Sequence, residues 1–346
     1  MDTLKFVLEQ RPRILVKSNE PMSMHTSLRV GGCADLFANV SSYEDLIFCY
    51  RHAKEKNIPV FILGSGTNLL VGDKGIRGLV IKNNVSKINI LEKVPFSHIK
   101  NSYSRRQEKH WRKGFLSSSD LYYEEDTKEG VLIEVYSGTL LATLINVLLR
   151  AGITGLQWFS GIPGTVGGAI WNNIHGADFF FGEFLSEVYS LDKNLKTRGF
   201  LSKDLDLGYN FSCFHDNGNL ITSAKLILPL GNKNKALAVS KEWIKRKIVQ
   251  PKNSAGCTFN NLTLDQVKAL NLGNGGAGFV IDKVLGLKGF KIGGAEISDN
   301  HANFITTNSK AKAKDVVIII NTIQSACLQK LGLTLKEEIV RVGEFD

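Results

Sequence analysis

The chain has 346 residues, 43% of them hydrophobic, and carries 43 Lys and Arg against 33 Asp and Glu, a net charge of +10. That length supports two or three domains with an ample core, and no apolar run reaches the roughly 18 residues a membrane span needs. Five scattered cysteines without a CxxC pair argue against a disulfide framework or a structural zinc site, so reduced thiols and no metal are expected.

The start lacks the basic and then apolar pattern of a signal peptide, which predicts a cytoplasmic protein. The positive balance suits two partner classes, nucleic acid or an anionic small-molecule substrate with phosphates and a carboxylate. Composition leaves both open.

In chain order, residues 2–20 read as a short amphipathic helix and an extended lead-in. A polar-to-glycine stretch, His25-Thr26-Ser27-Leu28-Arg29-Val30-Gly31-Gly32, follows. Ser41-Ser42-Tyr43-Glu44-Asp45 then caps a helix reaching about Lys56, its acids at the positive end.

The apolar run 59–63, the segment Gly64-Ser65-Gly66-Thr67-Asn68, and the apolar run 79–81 predict strand, glycine-rich loop, strand. Gly64 and Gly66 allow positive φ and close approach of backbone N–H groups to an anion, and Thr67 and Asn68 add short hydrogen-bonding side chains. A Rossmann loop would place a third glycine and a helix at position 69, where this chain has Leu69 and then Gly72-Asp73-Lys74-Gly75. The loop alone fits a diphosphate cradle and a glycine-rich hairpin equally.

From Lys82 to Gly130 the periodicity degrades. Residues 98–113 hold six Lys and Arg, one acid, Tyr103 and Trp111, with Glu124-Glu125-Asp126 beyond. Basic residues with aromatics can bind nucleic acid, but a solvated surface loop partly neutralised by its own acids is the expectation taken here. A strand at 131–136, a glycine turn and an apolar helix at 139–151 come next. They lead to Gly161-Ile162-Pro163-Gly164-Thr165-Val166-Gly167-Gly168-Ala169, whose four glycines and proline exceed what a corner requires. Strands are predicted at 185–191 and 220–228, a polar boundary at 232–235, a helix at 236–249, and a smaller α+β remainder.

The two glycine segments resemble the FAD-binding loops of the vanillyl-alcohol-oxidase-type fold. With Ala255-Gly256-Cys257-Thr258-Phe259, Ser298-Asp299-Asn300-His301-Ala302-Asn303-Phe304 and Leu335-Lys336-Glu337-Glu338, they resemble the UDP-N-acetylenolpyruvoylglucosamine reductase family from about His25 to Gly343. The resemblance implies an α+β architecture: a two-lobed FAD-binding domain over residues 1–230 and a smaller substrate domain over 231–346, of the family's shorter type. The lobes would span about 1–82 and 83–230, with a basic insertion at about 92–128.

It also implies a flavin enzyme in which NADPH and FAD reduce UDP-N-acetylglucosamine enolpyruvate to UDP-N-acetylmuramate, a peptidoglycan precursor. The implied FAD contacts are Arg29, Gly64, Ser65, Gly66, Thr67, Asn68, Gly161, Ile162, Pro163, Gly164, Thr165, Gly167, Gly168 and Asn173. Those for substrate are Tyr209, Asn261 and His301. Cys257 aligns with the proton-donating serine of relatives and Glu338 with their carboxyl-terminal glutamate. Asn210, in Tyr209-Asn210-Phe211-Ser212, stands where relatives carry an arginine that polarises the substrate carboxylate, so either turnover is slow or another cation such as Lys252 or Lys288 substitutes. His175 is also a departure, read as a core histidine or a flavin-side contact. The partners expected are the small-molecule substrate and NADPH, for a monomer that binds neither nucleic acid nor membrane. Two other readings stay open: an FAD oxidoreductase of this fold with another substrate or weakened catalysis, and a basic nucleic-acid-binding protein.

Overall fold

A computed structural model describes residues 1–96, 121, 123, 125–177 and 179–345. The basic run 98–113 lies outside them.

The first lobe comprises α1 (Asp2–Glu9), β1 (Leu15–Pro21), β2 (Cys33–Val40), α2 (Tyr43–Glu55), β3 (Val60–Leu63), β4 (Leu69–Val71) and β5 (Ile76–Asn83). Ser42 caps α2 as its residue type predicts, its Oγ accepting from Asp45 N at 3.1 Å. The sheet order is β1-β2-β5-β3, and β5 runs parallel to both β2 and β3. That parallel pairing rules out the hairpin: the first glycine segment is a crossover, and parallel strands need a longer connection than a hairpin turn. β4 leaves this sheet within the crossover and pairs elsewhere.

The second lobe comprises β6 (Ile88–Pro95), β7 (Glu129–Tyr136), α3 (Leu141–Arg150), α4 (Val166–Trp171), β8 (His175–Gly176), β9 (Phe179–Phe180), β10 (Leu185–Leu191), β11 (Thr197–Leu201), the one-turn α5 (Phe214–Asn217), β12 (Leu220–Pro229) and α6 (Lys233–Ile248). Its antiparallel sheet, ordered β11-β10-β12-β7-β6, packs against α3 and α4 through Ile133, Leu144, Leu148, Ile170 and Leu226.

Two expected boundaries move. The polar stretch at 232–235 begins a helix, with Asn232 Oδ1 accepting from Lys235 N at 3.0 Å, and Ala236, Val239 and Trp243 bury α6 in the second-lobe core. By packing, α6 belongs to that lobe and not to the substrate domain. The insertion expected at about 92–128 is narrower, because 92–95 lie in β6 and Phe96 N donates to Lys128 O at 2.8 Å. Tyr123 Oη accepts from Gln157 Nε2 at 3.1 Å and a Glu125 carboxylate oxygen accepts from Asn232 N at 3.0 Å, which docks both residues on the lobe.

The remainder holds α7 (Leu264–Ala269), α8 (Ala277–Phe279), β13 (Lys291–Ile292), β14 (Ala295–Ile297), β15 (Ile305–Thr307), α9 (Ala313–Leu331) and β16 (Val340–Val342). α9 covers the β13-β14-β15 sheet through Val316, Ile319, Ile320 and Ile323. This unit is stitched to the first lobe. β16 pairs in parallel with β4, and the Asp73 carboxylate accepts from the N–H groups of Ala313 and Lys314 at 2.8 and 2.9 Å, capping α9 across the junction. All five cysteines are free. Among the described residues no helix is long and apolar enough to cross a membrane, and no cluster of three or more His, Cys, Asp or Glu could hold a metal.

Candidate active site

The two glycine segments meet face to face. Thr67 Oγ1 donates to Pro163 O at 3.2 Å, and a Cβ on Gly64 would lie 2.7 Å from Thr165 Oγ1, so only glycine lets the loops close. Gly66 has φ 66° and a Cβ there would come 2.0 Å from His25 O, while Ser27 N donates to Gly66 O at 3.0 Å. The polar-to-glycine entry stretch is thereby tied to the first loop. Arg29, also at positive φ, is exposed beside it.

Among the described residues the N–H groups of Ser65, Gly66 and Thr67, and those of Gly164 and Thr165, find no acceptor. Gly164 and Gly168 border open space, since added Cβ atoms would meet nothing nearer than 3.7 and 3.6 Å. Unaccepted N–H groups on two touching glycine-rich loops, with open space at Gly164 and Gly168, have the character of an anion nest, which fits the diphosphate of FAD.

Two residues expected at the cofactor have close protein partners. Gly161 is the gap over which Lys247 crosses, for a Cβ there would lie 2.8 Å from Lys247 Cγ. Asn173 is 1% exposed, donates through Nδ2 to Gly208 O at 2.8 Å and accepts from Gly182 N at 2.9 Å, bracing the turn that carries Tyr209 and Asn210.

Facing the loops is a second cluster. Glu338 N donates to Thr258 O at 2.8 Å and Asn68 Nδ2 donates to Glu338 O at 3.1 Å, joining the Cys257 segment, the carboxyl-terminal segment and the first glycine loop. Burial raises the Glu338 carboxyl to about 7, despite a hydrogen bond from Asn210 and the positive charge of Lys247. Burial, aided by the negative charge of Glu338, pushes the Cys257 thiol up to about 12, while Lys247 and a hydrogen bond from Asn303 work the other way. At neutral pH the site therefore holds a protonated thiol next to a carboxyl close to half protonated, and both can donate a proton or a hydrogen bond.

Three contributors were missed in the sequence. Lys247, in the last turn of α6, acts electrostatically on Cys257, Glu338 and His301 at once and, among the described residues, forms no ion pair. Its only local sign was its position shortly before the Cys257 segment. The expected substitutes are elsewhere: Lys252 is exposed, and Lys288 faces Asp282 at 3.9 Å. Asn303 clamps the Cys257 segment, its Oδ1 accepting from Phe259 N at 2.9 Å and its Nδ2 donating to Phe259 O at 2.8 Å. Asn260 Oδ1 accepts from Asn210 Nδ2 at 2.9 Å.

Of the expected substrate residues, Tyr209 stacks on His175 with ring centroids 5.0 Å apart, beside Asn210, which makes His175 part of an aromatic shelf. His301 Nδ1 accepts from Asn303 N at 3.3 Å next to the Cys257 clamp. Asn261 Oδ1 accepts from Ala277 N at 3.0 Å, capping α8.

Residues 250–342 match the family model described as UDP-N-acetylenolpyruvoylglucosamine reductase, C-terminal domain. The chain is 32% identical over 335 residues to the UDP-N-acetylenolpyruvoylglucosamine reductase of Clostridium tetani, covering 95% of this chain and 92% of that one. It is 34% identical over 338 residues to that of Prochlorococcus marinus, covering 96% and 98%. The crystal structure of the enzyme from Thermus caldophilus superposes with a TM-score of 0.67 at 26% identity, covering 95% of this chain and 99% of that one. Together with these likenesses, fold and site define a flavin-dependent oxidoreductase of two lobes and an appended α+β unit. The chain belongs to the UDP-N-acetylenolpyruvoylglucosamine reductase family.

Proposed function

We propose that this chain catalyses the NADPH-dependent reduction of UDP-N-acetylglucosamine enolpyruvate to UDP-N-acetylmuramate, with the chemistry divided among Cys257, Glu338 and Lys247. Bound FAD supplies a carrier that takes hydride from NADPH and returns it to one carbon of the enolpyruvyl double bond. Ser65, Gly66, Thr67, Gly164 and Thr165 hold its diphosphate through backbone N–H groups.

Hydride addition leaves an electron pair on the adjacent carbon and spreads negative charge onto the substrate carboxylate. Lys247 meets that charge. Glu338, when protonated, donates a hydrogen bond to the same developing enolate. Cys257 then gives its Sγ–H proton to the carbon, and the thiolate left behind takes a proton from water because its affinity for one is so high. Asn210 and Asn303 orient the two acids, while Tyr209 and His301 flank the substrate.

The observation that carries this reading is that Cys257, Glu338 and Lys247 act on one another electrostatically at the point where the Glu338 backbone is tied to Asn68 of the first glycine loop. Anaerobic NADPH should bleach the yellow protein, and the enolpyruvyl substrate should restore the colour. A protein that bleaches but stays colourless with that substrate sinks the reading. Asn210 favours a second one, an FAD oxidoreductase of this fold acting on another substrate; Lys247 weakens it by offering the missing cation. The chain is further read as a cytoplasmic monomer, supported by a reaction between dissolved nucleotide-linked reactants.

A further inference from the structure

We propose that Lys82 is the cation that pairs with the FAD diphosphate, reaching it from behind the first glycine loop. The inference rests on FAD binding as read above. Lys82 is near the carboxyl end of β5, in register with Leu63, the last residue of β3. Its side chain thus stands under the point where β3 becomes the loop, at the strand ends where open parallel sheets take their ligands.

Its ammonium donates to Gly64 O and, among the described residues, has no carboxylate within ion-pair distance and no other acceptor. Two of its three N–H donors are left over in a half-buried place. A half-buried cation with one neutral partner gains from an anion that completes the set. Burial accordingly lowers the Lys82 pKa, and no acid opposes that effect.

The neighbouring geometry says where the anion goes. A Cβ on Gly64, the residue whose carbonyl Lys82 holds, would lie 2.7 Å from Thr165 Oγ1, so the Lys82 ammonium ends beside the seam between the two glycine segments. Among the described residues, N–H groups of both segments that find no acceptor border that seam. Those groups supply partial charges, and Lys82 supplies the full one.

The test titrates flavin-free protein with FAD and with riboflavin, which carries no phosphate, at low and high salt, following flavin fluorescence. Lys82→Gln keeps a donor for Gly64 O and removes the charge; Lys82→Arg keeps the charge; Lys82→Met serves if either fails to fold. Lys82→Gln should bind FAD about 10-fold more weakly at low salt, the worth of a unit charge acting through the loop. Its salt dependence should flatten, its riboflavin affinity should not change, and Lys82→Arg should stay near wild type. Equal losses for riboflavin and FAD would assign Lys82 to loop structure alone and overturn the proposal. So would unchanged FAD affinity, including the case in which only the flavin reduction potential moves, which would aim the charge at the ring. A wild-type protein that takes up no FAD overturns the cofactor reading itself, and Lys82 with it.

Discussion

Asn210 hydrogen-bonds the carboxyl of Glu338 and donates to Asn260 Oδ1 at 2.9 Å, so the residue in the place of the family arginine acts on the site's own acid. A guanidinium there would favour the carboxylate strongly; a neutral amide opposes burial only weakly, and Glu338 stays at about 7.

Asn210→Arg should therefore ionise Glu338 at neutral pH and slow recolouring by the enolpyruvyl substrate, with FAD affinity unchanged. Asn210 also sits at φ 51°, which asparagine tolerates better than arginine, so a small loss of thermal stability should accompany the change. A faster variant would mean that the arginine was lost without compensation.

The carboxyl pKa of Glu338 is raised above the unfolded value of 4.5 to about 7, so the protonated form is the one folding favours. Its contribution is fully present below the unfolded value and is lost as pH rises through about 7. Recolouring should slow over the same window, because the hydrogen-bond donor is lost. Glu338→Gln should flatten both profiles, and an unchanged fall in the variant's rate would place the titrating group elsewhere.

Lys247→Met should slow recolouring by about 10 to 100-fold, the range for a lost charged hydrogen bond, and leave bleaching by NADPH closer to normal. Lys247→Arg should recover part of the rate. The companion change Gly161→Ala should mimic the loss, since the added Cβ meets the Lys247 stem at 2.8 Å. Single-turnover absorbance of the flavin checks all three.

Cys257→Ala should bleach normally but recolour about 100-fold or more slowly, as expected for a lost general acid, and Cys257→Ser should keep part of the rate. The structure tempers the acid strength: at about 12 the thiol is well above a free cysteine's roughly 8.5, so it is a dependable proton reservoir more than a strong acid. Normal recolouring of the alanine variant removes Cys257 from the reaction.

Deletion of residues 98–120 behind a flexible linker should preserve FAD binding, measured by flavin fluorescence. Extending the cut to 126 removes Tyr123 and Glu125, which hold Gln157 and Asn232, and should lower the melting temperature.

Local order was legible in the sequence because it depends on near neighbours. Ser42 capped its helix, the runs at 131–136, 185–191 and 220–228 formed strands, and both glycine segments lay where their lack of side chains is used. The motif around Cys257 and the position of Glu338 named two of the groups proposed to act. Their partners were decided by contacts between residues far apart in the chain. β3 and β5 are each an ordinary apolar strand, and only their parallel pairing distinguishes a crossover from a hairpin. Lys247 is one of three consecutive basic residues ending α6, and Gly161 singles it out by letting its stem cross. Asn173, expected to contact the cofactor, is buried and spends its amide on two backbone groups, because a buried polar side chain must find partners wherever the fold supplies them. The charge balance of the site depends on burial and on which groups lie opposite one another, and both properties arise only when the separate segments come together.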